Sequence, residues 1–101
     1  MNMVYNYVIL EKSVEDIEEI VDYIAFDNPQ AALKLYENFV KQFETLAMFP
    51  EIGSMRSEFD PPVRSLAVGN YVVYFREITP VTIVRVLHGA RNISSDYLAK
   101  E

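Results

Sequence analysis

The side chains with the widest chemical reach in this sequence are its five arginines, Arg56, Arg64, Arg76, Arg85 and Arg91, all in the second half of the chain. A guanidinium presents a planar fork of donors that matches phosphate and carboxylate oxygens. Recognition of anions therefore belongs to residues 51–101. Arg91 stands first among them: it follows Gly89 just beyond a strand-like run, where its side chain can project into an exposed concavity. Pairing with Asp96 or a helix carboxylate is the plainer alternative. Arg64, Arg76 and Arg85 fall within strand-like runs, where a cation equally suits an ion pair, and Arg56 lies in an irregular segment. His88 is the only histidine. Its imidazole can act as a base near neutral pH, but no serine, cysteine or carboxylate pair accompanies it at a recognisable spacing. Together with His88 at its strand end, the five arginines form the candidate partner-binding set. Tyr97 adds a phenol near the end of the chain, and Tyr71, Tyr74 and Phe75 offer rings that stack on bases, although adjacent cations to hold a nucleic-acid backbone are sparse. With no cysteine and no suggestive spacing of acids, neither a metal site nor a cofactor is expected.

Charge sharpens this division. The net charge is −6 over 101 residues, yet residues 1–50 carry three lysines against nine acids, whereas residues 51–101 carry six cations against six acids. Non-specific nucleic-acid affinity comes mostly from neutralised phosphates, so the acidity argues against a general nucleic-acid binder. A chain of this length suits one domain, with a modest core and little room for an enclosed small molecule. The missing cysteines fit a reducing compartment. No apolar run approaches the roughly 20 residues of a membrane span, and the first ten residues lack a cationic leader. A cytoplasmic location without membrane attachment is expected.

The elements that must position these residues follow from periodicity. Residues 4–10, V-Y-N-Y-V-I-L, read as a strand. Ser13, three residues before Asp16, is a plausible helix N-cap with an acidic partner. Val14, Ile17, Val21, Ile24 and Ala25 then recur at helical spacing, with Glu15, Glu18, Glu19 and Asp22 on a solvated face. Asn28-Pro29 punctuates the chain and starts a second helix, since proline suits a first helical position and asparagine a cap. Ala32, Leu35, Tyr36, Phe39, Val40, Phe43, Leu46 and Ala47 form its apolar stripe, and Tyr36, Phe39 and Phe43 are expected in the core. Residues 51–62 have no period and read as a loop. Residues 63–68 and 71–78 flank a Gly69-Asn70 hairpin turn, and residues 81–88 follow Thr79-Pro80. A short helix is expected over residues 94–100. The fold class is therefore α+β: an N-terminal strand, an antiparallel two-helix hairpin, a three-stranded antiparallel sheet and a short C-terminal helix. The hairpin must lay its apolar stripe on one face of the sheet.

The ordered set of segments resembles the ParE/RelE toxin superfamily of type II toxin–antitoxin systems, and its ParE branch more closely. The matching pieces are D-I-E-E-I-V-D-Y-I-A at 16–25, N-P-Q-A-A at 28–32, L-A-M-F-P-E-I-G-S-M-R at 46–56, V-R-S-L-A-V-G-N-Y-V-V-Y-F-R at 63–76 and I-V-R-V-L-H-G-A-R-N-I at 83–93. The resemblance implies a toxin held inactive, in a hetero-oligomer, by a cognate antitoxin whose flexible C-terminal segment wraps the helix hairpin and sheet. It also implies an apolar channel for that segment over an antiparallel sheet, so that parallel strands would count against the assignment.

Two mechanisms come with the superfamily. RelE-like members are ribosome-dependent mRNA endoribonucleases that use cations, and in some members a tyrosine, to stabilise a pentavalent phosphate and protonate the leaving oxygen. ParE-like members are not nucleases; they bind DNA gyrase and trap it on cleaved DNA. Here Arg64 is the only cation on its strand, and Val72 follows Tyr71 where the nuclease pattern has arginine. Arg91 and Tyr97 do match that pattern, and with Arg64 they are the catalytic candidates should the chain be a nuclease. The missing cationic cluster favours gyrase inhibition by binding, with plasmid stabilisation as the associated role. A nuclease with a reduced catalytic set, or a toxin fold without toxicity, are the alternatives.

Overall fold

The computed structural model describes residues 7–90. Along the chain run β1 (Tyr7–Ile9), α1 (Glu11–Asp27), α2 (Pro29–Met48), a single 3-10 turn (Pro50–Ile52), β2 (Ser54–Arg56), β3 (Val63–Val68), β4 (Tyr71–Arg76) and β5 (Val81–His88). The proposed helix over 94–100 lies outside the described residues. Asn28 alone separates the two helices, and its side chain accepts a hydrogen bond from the Ala31 N–H at 3.1 Å, as the asparagine–proline signal predicts. Gly69 has a φ of 60°, which a tight β3–β4 turn requires and glycine adopts without a Cβ clash.

The strands form one five-stranded sheet in the order β1-β5-β4-β3-β2. β3, β4 and β5 are antiparallel neighbours, as their short connections demand. Two features differ from expectation. β1 pairs with β5 in parallel, Tyr7 opposite Val81, so the sheet is mixed rather than antiparallel. A parallel neighbour needs a long crossover, and the two helices with everything up to β5 supply it. In addition, residues 54–56 of the segment read as a loop pair with β3, Met55 opposite Arg64. Three residues are too short to show a period, which is why they left no signature in the sequence.

Alternation along β4 divides the interior in two. Tyr71, Val73 and Phe75 face the helices, where Ile17, Phe39, Phe43 and Leu46 complete the main core. Val72 and Tyr74 face the other side with Phe59, Val63, Val84 and Leu87. Phe39 and Phe43 are stacked, and the Tyr71 ring meets Phe39 edge-on. Tyr36, expected in the core, is exposed instead, because it sits at the flank of the α2 stripe. Val14 is likewise exposed. On β5 the register slips between Tyr74 and Phe75, so that Arg85 lies opposite Tyr74 while Ile83 lies opposite Phe75. Val84 is the extra residue, and it reverses the phase of the strand. Val81 and Ile83 face the helices before it, and Val86 does so after it. Unbroken alternation would have carried Arg85 into that core.

Candidate functional site

The first helix starts three residues earlier than Ser13 would place it, with Leu10 at the N-cap position. Ser13 is therefore not a cap. It is fully buried, and its hydroxyl donates to the Ile83 carbonyl at 3.0 Å. The Leu10 N–H donates to the same carbonyl at 3.1 Å. One turn later Asp16, also buried, accepts from the Val86 N–H at 3.0 Å. Leu10, Ser13 and Asp16, three residues apart on one helical face, continue the edge of β5 where β1 leaves off at Ile83. The first two turns of α1 thus satisfy backbone groups that a strand would have paired.

Arg85 completes this arrangement. Its Nε and Nη2 donate to the two carboxylate oxygens of Asp16 at 2.7 and 2.8 Å, a bidentate pair in which Arg85 is only 7% exposed. The sequence left open whether mid-strand arginines serve a partner or an ion pair; the fork of Arg85 is turned inward. Asp16 was expected as a helix-start acid. The available signal was the apolar run V-T-I-V-R-V-L at 81–87, in which a single cation on a buried strand demands a buried carboxylate.

Arg56 and Arg64 lie at the opposite side of the sheet. Arg56 Nε donates to Glu58 at 2.7 Å and its Nη1 to the Ser65 hydroxyl at 3.4 Å. Its guanidinium carbon is 5.2 Å from the Phe59 ring centre and 5.8 Å from that of Tyr74. The hydrogen bond from Arg56 holds the Glu58 carboxyl below the usual carboxylate range, and the same contact raises Arg56. Arg64 Nε donates to Glu77 at 2.7 Å, and its Nη1 to the Gly53 carbonyl at 2.7 Å. Gly53 is tightly enclosed: a Cβ there would fall on the Phe75 ring and 3.2 Å from the Arg64 Cβ. Arg76 lines, with Met55, Pro61, Pro62, Val63, Arg64, Glu77 and Ile78, a largely apolar hollow of about 340 Å³. A second hollow of about 350 Å³ on the other side of Glu77 and Ile78 is bounded by Ala47, Pro50 and residues 79–81. These are the concavities nearest in kind to the expected channel.

His88 ends β5. Its Nδ1 accepts from the Ala90 N–H at 3.1 Å, and its ring meets Tyr71 edge-on. Arg91 and Tyr97, the leading candidates on sequence, lie outside the described residues. Among the described residues the candidate cations do not form one cluster. Arg56 and Arg64 flank the β2–β3 edge, Arg85 is internal beside α1, and His88 stands at the far end of β5. No group of three or more histidine, aspartate or glutamate side chains able to hold a metal occurs among the described residues. No described helix is long and apolar enough to cross a membrane.

Residues 7–93 match the family described as the ParE toxin of type II toxin–antitoxin system, parDE. Among solved structures, the chromosomal ParDE TA system from P. aeruginosa is similar, with 24% identity and a TM-score of 0.69 over 81% of this chain and 92% of that one. That likeness concerns the fold. None of the curated proteins matches the sequence. The parallel β1–β5 pairing, three residues long at one edge, thus sits alongside a match over nearly the whole chain. Parallel strands were the wrong criterion for rejecting the assignment.

Proposed function

The chain belongs to the ParE toxin family of type II toxin–antitoxin systems, and from that premise we propose that it is the toxin of such a pair, acting by binding DNA gyrase in the cytoplasm and neutralised by a cognate antitoxin. Inhibition by binding, rather than RNA cleavage, is supported chiefly by where the positive charge goes. Arg56, Arg64 and Arg85 each hold a carboxylate of the chain itself, Glu58, Glu77 and Asp16. A phosphoryl transition state needs preorganised cations converging on the oxygens that gain charge. Guanidinium groups already neutralised at three separate places do not supply that. A binding mode, in contrast, uses shaped surface, and the hollows flanking Ile78 offer it. Toxin and antitoxin would form a hetero-oligomer, with the antitoxin segment ordering on contact.

Induced expression in bacteria tests the reading. The expected outcome is filamentation with a DNA-damage response and gyrase trapped on cleaved DNA, relieved when the adjacent antitoxin gene is co-expressed. Arrested translation with cleaved mRNA would instead assign the nuclease mechanism. Unaffected growth would make the chain a toxin fold without toxicity.

A further inference from the structure

The most exposed large apolar side chains in the described residues are Phe26, at 92%, and Tyr23, at 82%. Both lie in the last turn and a half of α1, whose inner face is fully engaged with β5 and α2. Rings so open to water contribute nothing to the core, and isolated exposed apolar residues ordinarily need no explanation. These two differ because of what shares their face. At 100° per residue, Glu15, Glu19, Asp22 and Phe26 are successive members of one outward stripe, with Tyr23 at its margin. All are exposed. Glu15 has a partner in Lys12, 3.6 Å away and itself well exposed, whereas Glu19 and Asp22 make no ion pair among the described residues. Glu18 flanks the stripe on the other side, and it too is exposed.

We infer that the outward stripe of α1 is a docking face for a cationic polypeptide segment that ends in an apolar or aromatic anchor. The carboxylates Glu15, Glu19 and Asp22 would meet lysines or arginines of that segment, and Phe26 with Tyr23 would receive the anchor. The eleven helical steps from Glu15 to Phe26 span about 16 Å, so the occupant requires about three helical turns or five extended residues. Charge selects this partner over the others. A nucleic acid or an anionic membrane would be repelled by three carboxylates in line, and a second copy packing stripe to stripe would bring like charges together. The antitoxin-neutralised toxin reading concerns what the chain does to a cell; this inference concerns the chemistry of whatever covers α1, and each stands or falls separately.

The probe is a pair of synthetic 16-residue peptides that share one tryptophan and one leucine anchor and differ only in carrying lysine or glutamate at every third or fourth position. Binding to the full 101-residue chain is followed by fluorescence anisotropy. The lysine peptide is expected to bind about tenfold more tightly than its glutamate counterpart at low salt, a difference of about 1.4 kcal/mol, and to weaken several-fold as salt rises toward 0.3 M. Reversing three charges together (E15K, E19K and D22K) should remove that preference, and Phe26→Ser should weaken the lysine peptide several-fold while leaving thermal stability unchanged. Equal affinity for both peptides, no binding of the lysine peptide at millimolar concentration, or indifference to both variants would overturn the inference. So would concentration-dependent self-association that Phe26→Ser abolishes, since the stripe would then belong to a second copy. None of these outcomes alters the growth phenotype that tests toxicity.

Discussion

Replacing Asp16 by alanine removes the carboxylate from its buried pair with Arg85 and takes an acceptor from two groups. The Arg85 guanidinium keeps its charge at a site only 7% exposed, and the Val86 N–H loses the acceptor it has at 3.0 Å. Breaking a buried pair in this way costs about 3–5 kcal/mol, most of it from the uncompensated charge. A domain of this size is stable by about 5–15 kcal/mol, so the loss is a large share of the total and nearly all of it at the low end. Its melting temperature should fall by about 12 °C or more, at roughly 4–8 °C per kcal/mol. Urea unfolding followed by circular dichroism gives the free energy directly. The discriminating partner is the double variant Asp16→Leu with Arg85→Met, which replaces both charges with apolar side chains. It should be more stable than Asp16→Ala, because the buried charge is gone and, among the described contacts, the Val86 N–H is the one left unsatisfied, at about 1–3 kcal/mol. If Asp16→Ala costs less than about 1 kcal/mol, or if the two single substitutions simply add in the double variant, the pair does not fasten α1 to β5 and the reasoning fails.

Other substitutions probe the remaining contacts. Gly53→Ala forces a methyl onto the fully buried Phe75 ring; about 1–3 kcal/mol should be lost, visible as a melting point lower by about 5 °C or more, and an unchanged melt would mean that the 3-10 turn yields freely. Glu58, held below the usual carboxylate range by Arg56, is in its favoured ionised state above that range; its contribution to stability is present there and fades as pH falls through the depressed value. In an NMR titration its midpoint should lie below those of other exposed glutamates and return toward them in Arg56→Ala. Finally, Arg91→Ala should reduce toxicity more than Arg56→Ala, as measured by colony formation after induction; full toxicity in both would reject Arg91 as the leading contact residue.

Most of the architecture was legible because it rests on local signals. Asn28-Pro29 fixed where the hairpin folds back, Gly69-Asn70 fixed the turn between β3 and β4, and the apolar spacing of Phe39, Phe43 and Leu46 fixed the buried face of α2. What escaped was pairing between distant segments. Nothing in Tyr7–Ile9 announces that its neighbour is β5 rather than a partner close in sequence, and Ser54–Arg56 is too short to show alternation. The site was less legible than the fold. The sequence gathers five arginines into one half of the chain but does not reveal their partners. Glu58 is two residues from Arg56, Glu77 is thirteen from Arg64, and Asp16 is sixty-nine from Arg85. Ser13 and Asp16 were misread for a related reason. Their spacing fits a helix cap, and only the third dimension shows that both turn toward β5.

These pairings also change what the charge of the chain means. On sequence the first half is acidic and the second balanced, which suggests that the arginines are the surface for recognition. In the fold, Asp16 of the acidic half is spent inside on Arg85, and Glu58 and Glu77 lie against Arg56 and Arg64. The second half is thereby largely neutralised within itself, whereas the exposed carboxylates of α1 are not. Long-range attraction depends on charge that solvent can see. Among the described residues, the exposed run of like charge then lies on the outer side of α1 rather than on the sheet that carries the arginines. The proposed gyrase binding, if it uses the hollows flanking Ile78, leaves the outer stripe of α1 open to a cationic partner, since no α1 residue lines either hollow.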